Sequence, residues 1–230
     1  MNWSAACDSI SLDYGSWREL GKVPSNLLTG TFPYQSAGPG MIFAYRWETL
    51  RRHITDEILE SYEWFVITRS DFLWEIEHPE VSLLQTDKIY QMDGEMYGGI
   101  SDRHIIFHRD NASKVFSFAQ PIFSADISIK VRVVEKYREE MEHLPMLNFE
   151  QYLLFMAKET GLQNQITLIP YLGYLIRHEG TDTNWSHGVF DHDRHYYIKY
   201  PGELAAVTSN KKSLRSQEDW VLFFNNLSTI

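Results

Sequence analysis

The stretch at residues 64–71 reads Trp-Phe-Val-Ile-Thr-Arg-Ser-Asp and is the segment that best indicates the fold. Four apolar residues stop abruptly at a polar tail that carries Arg69 and Asp71. A short apolar run of aromatic and β-branched residues with a polar end is typical of a buried strand. Apolar residues recur at roughly helical spacing over 41–62, which predicts an amphipathic helix just upstream. A helix followed by a buried strand indicates an α/β fold, in which ligands bind beyond the carboxyl ends of the strands.

The rest of the chain continues this alternation of helices and short strands. Asn148 is a predicted N-cap of a helix that ends near Gly161, with Tyr152, Phe155 and Met156 on its apolar face. Residues 166–176 predict a strand pair or a bend around Pro170 and Gly173. The remaining predictions are an irregular segment at 1–40, strands at 83–90 and 105–108, helices at 111–123, 125–141 and 217–225, and a polar loop-rich stretch at 177–200.

Composition excludes several classes of protein. The 230 residues carry 21 Lys+Arg against 31 Asp+Glu, a formal charge of −10, which argues against a general nucleic-acid binder. Cys7 is the single cysteine, so an internal disulfide or a Cys-x-x-Cys metal site is excluded. No apolar run approaches the roughly 18 residues of a spanning helix, and no signal-peptide pattern opens the sequence. We therefore expect one domain over 1–230, without a membrane span and in the cytoplasm.

Aromatic residues are abundant, at 14% of the chain. Aromatic side chains build hydrophobic cores, but they also line carbohydrate and nucleotide sites, where a flat apolar face meets a polar rim. The composition leaves both uses open.

Three stretches contain side chains suited to chemistry. At the end of the 64–71 segment, a carboxylate suits a divalent metal and a guanidinium suits a phosphate, although an Arg-Asp ion pair closing a loop explains the same residues. Residues 93–104 form an acidic, glycine-containing loop, which is either a site or a solvated turn between strands. Residues 177–200 hold several His and Asp residues, which are either metal ligands or solvated loop residues.

Taken in this order, the three stretches resemble nucleotide-sugar glycosyltransferase-like proteins with the GT-A fold, which act in polysaccharide and glycan assembly. In that group an apolar strand ending in R-S-D precedes a Y-G-G-x-x-D-R-H loop, and a later part combines an Arg, a T-x-W-S-x-G element and a Y-x-K-Y element. Here these lie at 64–71, at 97–104, at Arg177 with 183–188, and at 197–200. The resemblance covers roughly residues 41–205.

The resemblance implies a GT-A-like mixed sheet flanked by helices. It also implies transfer of a sugar from a nucleotide-sugar donor to a glycan or other hydroxyl acceptor, with Mn²⁺ or Mg²⁺ bridging the diphosphate. The leaving nucleoside diphosphate gains charge in the transition state, which a metal or a cationic side chain offsets.

The same resemblance assigns roles to individual residues. Asp71 takes the part of the acidic metal-binding motif, and Arg69 faces the diphosphate or orients Asp71. Asp102 acts as general base on the acceptor hydroxyl or holds it, and Arg103 fixes the Asp102 carboxylate. The further implied contacts are His187 to the metal or a phosphate, Lys199 to a phosphate, and Tyr97, Gly98, Gly99 and Trp185 to the donor.

Two features depart from the family pattern. Arg69 stands where the acidic motif usually has its first carboxylate, and residues 1–40 offer no equivalent of the usual first strand and helix, so we expect a fold that lacks or rewrites them. Two other functions remain open. One is a noncatalytic carbohydrate- or partner-binding module with an aromatic stacking platform, and the other is a metal-dependent hydrolase that uses the histidine-containing stretch.

Overall fold

The computed structural model describes residues 39–94, 96–124, 135–136, 139, 148–178 and 188–227. Most of the segment predicted to be irregular, 1–40, and most of the helix predicted at 125–141 lie outside these residues. The chain divides into two compact units: Met1–Glu63 with Tyr97–Ile100 and Arg109–Asn164, and Trp64–Met96 with Ser101–His108 and Gln165–Ile230. We call them the helical unit and the sheet unit. Because segments of the two units alternate along the chain, no single linker separates them.

The helical unit contains four described α-helices: α1 (Pro39–His53), α2 (Asp56–Ser61), α3 (Arg109–Phe116) and α4 (Phe149–Glu159). The single helix predicted over 41–62 is wrong in one respect, because α1 ends at His53 and α2 starts anew. Thr55 is the cause, since its hydroxyl accepts a hydrogen bond from Ile58 N at 3.3 Å and caps α2. The helix predicted at 111–123 is likewise split into α3 and a 3₁₀ turn at Gln120–Phe123.

Helix α4 confirms its prediction closely. The Asn148 side chain accepts from Gln151 N at 2.8 Å, and Gln151 Oε1 accepts from Asn148 N at 3.3 Å, which is a complete capping box. The predicted apolar face of Tyr152, Phe155 and Met156 is buried. Aromatic rings fill the core of this unit, which accounts for part of the aromatic composition: Tyr45, Trp47, Phe116, Phe118, Phe123, Phe149, Tyr152 and Phe155.

The sheet unit contains two small four-stranded sheets. The first has the order β1-β4-β3-β5 and comprises β1 (Trp64–Thr68), β3 (Ile89–Met92), β4 (His104–His108) and β5 (Ile166–Ile169). The second has the order β2-β6-β8-β7 and comprises β2 (Phe72–Trp74), β6 (Gly173–His178), β7 (Val189–Asp191) and β8 (Tyr196–Ile198). Helices α5 (Pro201–Asn210) and α6 (Gln217–Leu227) belong to the same unit, and α5 packs on β6.

The α/β class with a mixed sheet is confirmed at this level. In the first sheet β3 pairs in parallel with β5, and β1–β4 and β3–β4 are antiparallel. The three pairs of the second sheet are all antiparallel. None of the described helices is long and apolar enough to cross a bilayer.

Several strand predictions need correction. Strand β1 lies at a sheet edge with β4 as its described neighbour, so it is not fully buried, and Val66 is 48% exposed. The strand predicted at 83–90 begins only at Ile89, because a 3₁₀ turn at Val81–Leu83 and exposed polar residues precede it. Residues 166–176 form two strands that belong to different sheets, separated at Pro170. The polar stretch 177–200 was predicted to be loop-rich, yet it contains β7, β8 and the end of β6.

Candidate functional site

The polar ends of several strands meet in the sheet unit. Arg69 and Asp71 lie in the turn between β1 and β2, whereas Asp102 and Arg103 directly precede β4. The Arg103 carbonyl accepts from Arg69 N and from the Thr68 hydroxyl, each at 3.1 Å, which ties these two segments together. Ile176 N donates to the Asp71 carbonyl at 3.0 Å and brings β6, with Arg177, to the same turn. The first and second candidate stretches therefore meet at Arg69, Asp71 and Asp102, and the third contributes Arg177.

Asp71 is the centre of a cluster of charges. Arg69 binds its carboxylate in the bidentate mode, with Nε to Oδ1 and Nη2 to Oδ2 both at 2.9 Å. Arg177 Nη1 donates to Oδ2 of the same carboxylate and also to the Ile176 carbonyl, at 3.0 Å. The ion pair that the sequence left as an alternative for Arg69 and Asp71 is thus present, and a second arginine joins it.

The charges in this cluster hold Asp71 and Arg69 in their ionised forms. Burial by itself would raise the pKa of Asp71, but hydrogen bonds and charge from Arg69 and Arg177 outweigh it and hold that pKa well below its usual range. Burial would likewise lower the pKa of Arg69, yet the hydrogen bond to Asp71 and the charges of Asp102 and Asp71 raise it above its ordinary value. Asp71 and Arg69 therefore keep their charges across the whole physiological pH range.

Asp102 lies beside this cluster. Its side chain is 6% exposed, and its Oδ2 lies 3.4 Å from Arg69 Nη1. The sequence resemblance assigned the task of fixing this carboxylate to Arg103, but the side chain that reaches it is Arg69. Arg69 consequently contacts both carboxylates of the candidate site.

Arg103 belongs to a deeper ion pair. Its guanidinium pairs with Glu203 near the start of α5, and the two side chains are 4% and 0% exposed. Arg103 Nη1 also donates to the Tyr171 hydroxyl at 3.1 Å, and Glu203 Oε2 accepts from Leu175 N at 3.0 Å. Sequence reasoning missed Tyr171 and Glu203, because a lone Glu after Pro-Gly and a Tyr after Ile-Pro carry no motif.

Tyr200 lies between the buried pair and the more exposed cluster. The Arg103 guanidinium and the Lys199 ammonium each lie 4.8 Å from the centre of its ring. Its hydroxyl is close enough to Arg69 to contribute to the raised pKa of that arginine. Lys199, which was predicted to contact a phosphate, thus contacts the same Tyr200 ring as Arg103 does.

His104 follows Arg103 in the chain and is buried. Its Nε2 lies 3.2 Å from Nε2 of His78, whose Nδ1 lies 2.7 Å from the Pro79 carbonyl. Because a carbonyl only accepts hydrogen bonds, the proton of neutral His78 lies on Nδ1, and its Nε2 is an acceptor. In the neutral pair, His104 Nε2–H therefore donates to His78 Nε2. Nδ1 of His104 then has no hydrogen-bond partner among the described residues.

The loop residues Tyr97, Gly98 and Gly99 belong to the helical unit. Tyr97 and Gly98 have positive φ angles of 48° and 81°, and the Tyr97 carbonyl accepts from the Asn148 and Gln151 side chains at 3.0 and 3.1 Å. A Cβ on Gly99 would fall 1.9 Å from the Glu150 carbonyl oxygen, so glycine is required here by the start of α4. The close approach is made by protein backbone at Gly99 and by the Gln151 side chain at Gly98.

The predicted site residues Trp185 and His187 lie outside the described residues. In the described remainder of that stretch, His192 and His195 lie in the exposed turn between β7 and β8, and each contacts the ring of Phe190. Within the described residues, no three His, Cys, Asp or Glu side chains are grouped to hold a metal ion.

Asp71 itself fits a resident divalent cation poorly. Of about four lone-pair positions on a carboxylate, three already accept N–H groups of Arg69 and Arg177. Like unit charges about 4 Å apart repel by about 4 kcal/mol at an effective dielectric constant of about 20, and a divalent ion doubles that figure for each guanidinium. Only one lone-pair position on this carboxylate, on Oδ1, is therefore left for the Mn²⁺ or Mg²⁺ implied by the sequence resemblance, and it lies beside two guanidinium groups.

Comparison with family models, with curated proteins and with solved structures found no match for this chain.

Proposed function

We propose that this protein is a glycosyltransferase that moves a sugar from a nucleotide-sugar donor to a hydroxyl of a glycan or another acceptor. One observation carries the proposal: residues of the three stretches that resemble GT-A transferases, far apart in the chain, are neighbours in the sheet unit. Asp71 lies between Arg69 and Arg177, and Arg69 also reaches Asp102. The GT-A character of the fold is part of this proposal.

The charge of the site suits an anionic donor. Arg69 and Arg177 both bind the Asp71 carboxylate, and Lys199 lies beside the neighbouring ring of Tyr200, in a chain whose net charge is −10. An acidic protein attracts an anion only where specific groups reverse the local field. Guanidinium groups suit this task because their planar fork matches phosphate oxygens in pairs.

Asp102 is the proposed general base. In the transfer, the bond between the anomeric carbon and the donor phosphate breaks and the acceptor oxygen bonds to that carbon. The hydroxyl proton of the acceptor passes to Asp102, and the electron pair leaves with the nucleoside diphosphate. Arg69, held bidentately by Asp71, lies beside the Asp102 carboxylate and keeps it in place for this task.

Because Asp71 fits a resident metal poorly, the proposed step uses the side chains of the chain alone. The guanidinium groups offset the charge that develops on the leaving diphosphate, which is the role that preorganised cations serve in phosphate chemistry. The exposed fractions of the Arg69 and Arg177 side chains, 14% and 21%, leave them open to a ligand.

The test is a donor panel. The protein is incubated with uridine-, guanosine-, cytidine- and thymidine-linked sugars, with and without a mixture of glycan acceptors, and released nucleotide is measured. We expect release from one nucleotide class, and Asp102→Asn should slow transfer by about 10²- to 10⁴-fold. Asp87→Asn is the matched control, since the Asp87 side chain is 71% exposed.

Other outcomes identify the alternatives. Absence of nucleotide release across the panel, with tight binding of free glycans, would replace the transferase by a noncatalytic carbohydrate-binding module. If Asp102→Asn loses activity only because the variant unfolds, the assignment of Asp102 as general base is also wrong. The thermal unfolding transition of Asp102→Asn is therefore measured alongside its activity.

A further inference from the structure

The Asp71 carboxylate serves its two neighbouring arginines. Arg69 occupies one lone-pair position on each oxygen, and Arg177 occupies a second position on Oδ2. Asp71 therefore holds two guanidinium groups side by side, which is a different task from the metal ligation implied by the sequence resemblance.

Arg177 has one edge of its guanidinium available. Its Nη1 is used twice, by Asp71 and by the Ile176 carbonyl, and these two acceptors fix the plane of the group. Its Nε and Nη2 have no hydrogen-bond partner within the described part of the chain. These two nitrogens form the edge that binds a phosphate with two parallel hydrogen bonds.

Arg177 also has less counter-charge than Arg69. Arg69 contacts both Asp71 and Asp102, whereas Arg177 shares the single carboxylate of Asp71. Its side chain is 21% exposed, so an incoming anion reaches it without a rearrangement of the core. Of the two arginines on Asp71, Arg177 is thus the better placed to bind an anion.

We infer that this site binds the diphosphate group of its ligand directly through Arg177, without a divalent metal, and that Asp71 is a positioning residue for the two arginines. The inference rests on the proposed transferase function for the identity of the ligand, a nucleoside diphosphate. The positive charge that a metal would supply comes here from the guanidinium groups.

The experiment is calorimetric titration of the full chain with inorganic pyrophosphate and, separately, with uridine and guanosine diphosphates. Each titration is run in EDTA and again with Mn²⁺. We expect binding in EDTA, weakened about 10- to 100-fold by Arg177→Ala, because charge-assisted hydrogen bonds are lost. Arg177→Lys keeps the positive charge but lacks the two parallel N–H donors of the guanidinium group. Its affinity should lie between those of the natural protein and of Arg177→Ala. Arg215→Ala, at an arginine whose side chain is 74% exposed, is the matched control.

Asp71→Asn separates the two roles of the carboxylate. If Asp71 positions the arginines, Asp71→Asn weakens binding in EDTA by a few-fold, because the two guanidinium groups are held less firmly, but does not abolish it, because Arg177 still binds the anion. Pyrophosphate and the nucleotides distinguish a general diphosphate site from one that also reads the nucleoside.

Binding that appears only with Mn²⁺ and disappears in Asp71→Asn would overturn the inference while leaving the transferase proposal intact. Binding in EDTA that Arg177→Ala and Arg177→Lys leave unchanged would overturn it as well. The transferase proposal fails in a different way. In that case the protein binds pyrophosphate but releases no nucleotide from any sugar donor.

Discussion

The sheet unit contains two arginine–carboxylate arrangements that differ in burial. The side chains of Arg103 and Glu203 are 4% and 0% exposed, whereas those of Arg69 and Asp71 are 14% and 30% exposed. A fully buried pair cannot reach a ligand, and breaking it leaves a charge without a counter-ion. A partly exposed pair exchanges partners with water and can reach a ligand. The difference indicates that Arg103 stabilises the fold, whereas Arg69 and Arg177 are the arginines that the proposed ligand can reach.

Glu203→Gln should have the largest effect. It leaves the Arg103 charge buried without its carboxylate, and we expect a loss of about 3–5 kcal/mol in the free energy of unfolding. Urea denaturation measures this, with Glu57→Gln, at an exposed position of α2, as control. The double variant Arg103→Met with Glu203→Leu should recover part of the loss, because it removes both charges but leaves the buried Leu175 N–H without its acceptor. A cost below about 1 kcal/mol for Glu203→Gln would contradict the structural role of the pair.

As the pH falls, His104 should lower the stability of the protein at a higher pH than Asp71 does. Burial, followed by the charge of His78, lowers the pKa of His104 to about 3 in the folded state, against about 6.5 when unfolded. Between these values the unfolded chain binds a proton that the folded chain does not, so stability falls as the pH drops. At pH 5 the loss is about 2 kcal/mol relative to neutral pH.

Denaturation curves at stepwise pH values test this. His104→Leu should flatten the dependence of stability on pH between about 6.5 and 4. The pKa of Asp71 is lowered on folding, so its share of stability is present above about pH 3.8 and is lost only as the pH falls further. A pH slope that persists in His104→Leu would point to another buried base.

Tyr200→Leu should have an intermediate effect. The ring contacts the Arg103 guanidinium and the Lys199 ammonium, and each such contact is worth about 0.5–1 kcal/mol. We expect a loss of about 1–2 kcal/mol in unfolding free energy. Tyr200→Phe keeps both ring contacts and is the matched control. Equal losses in the two variants would assign the effect to the hydroxyl.

Glu63→Gln should change least. Glu63 pairs with Arg109 at 3.1 Å, but the side chains are 70% and 38% exposed. Exposed ion pairs contribute about 0–1 kcal/mol, so the thermal midpoint should stay within about 3 °C of the natural protein. A larger shift would weaken the link between burial and stability on which the comparison depends.

Local signals in the sequence predicted several elements correctly. The apolar run at 64–67 marks β1, the Asn148 cap marks the start of α4, and α6 lies at Gln217–Leu227 against a prediction of 217–225. These features depend on neighbouring residues: a cap satisfies helix N–H groups within one turn, and a helix shows its periodicity over a few turns. The predictions of donor, acceptor, metal and cellular location remain predictions.

Features that depend on pairing between distant parts of the chain could not be predicted from local sequence patterns. An apolar run has the same pattern at a sheet edge as in its middle, so the exposure of Val66 was not evident from residues 64–67. The division of 166–176 between two sheets depends on which strands are available as partners. Arg177 was visible in the sequence, but the carboxylate it would share was 106 residues away.

The amino-acid sequence by itself determined the class of the fold, the main helix and strand starts, and the set of polar residues at the strand ends. Only the tertiary structure decided which of those residues meet. The family resemblance implied Arg103 as the partner of Asp102, whereas in the folded chain Arg103 pairs with Glu203 and Arg69 lies beside Asp102. The physical reason is that hydrophobic periodicity is local, while charge pairing depends on burial and on contacts between distant strands, which exist only once the sheets have formed.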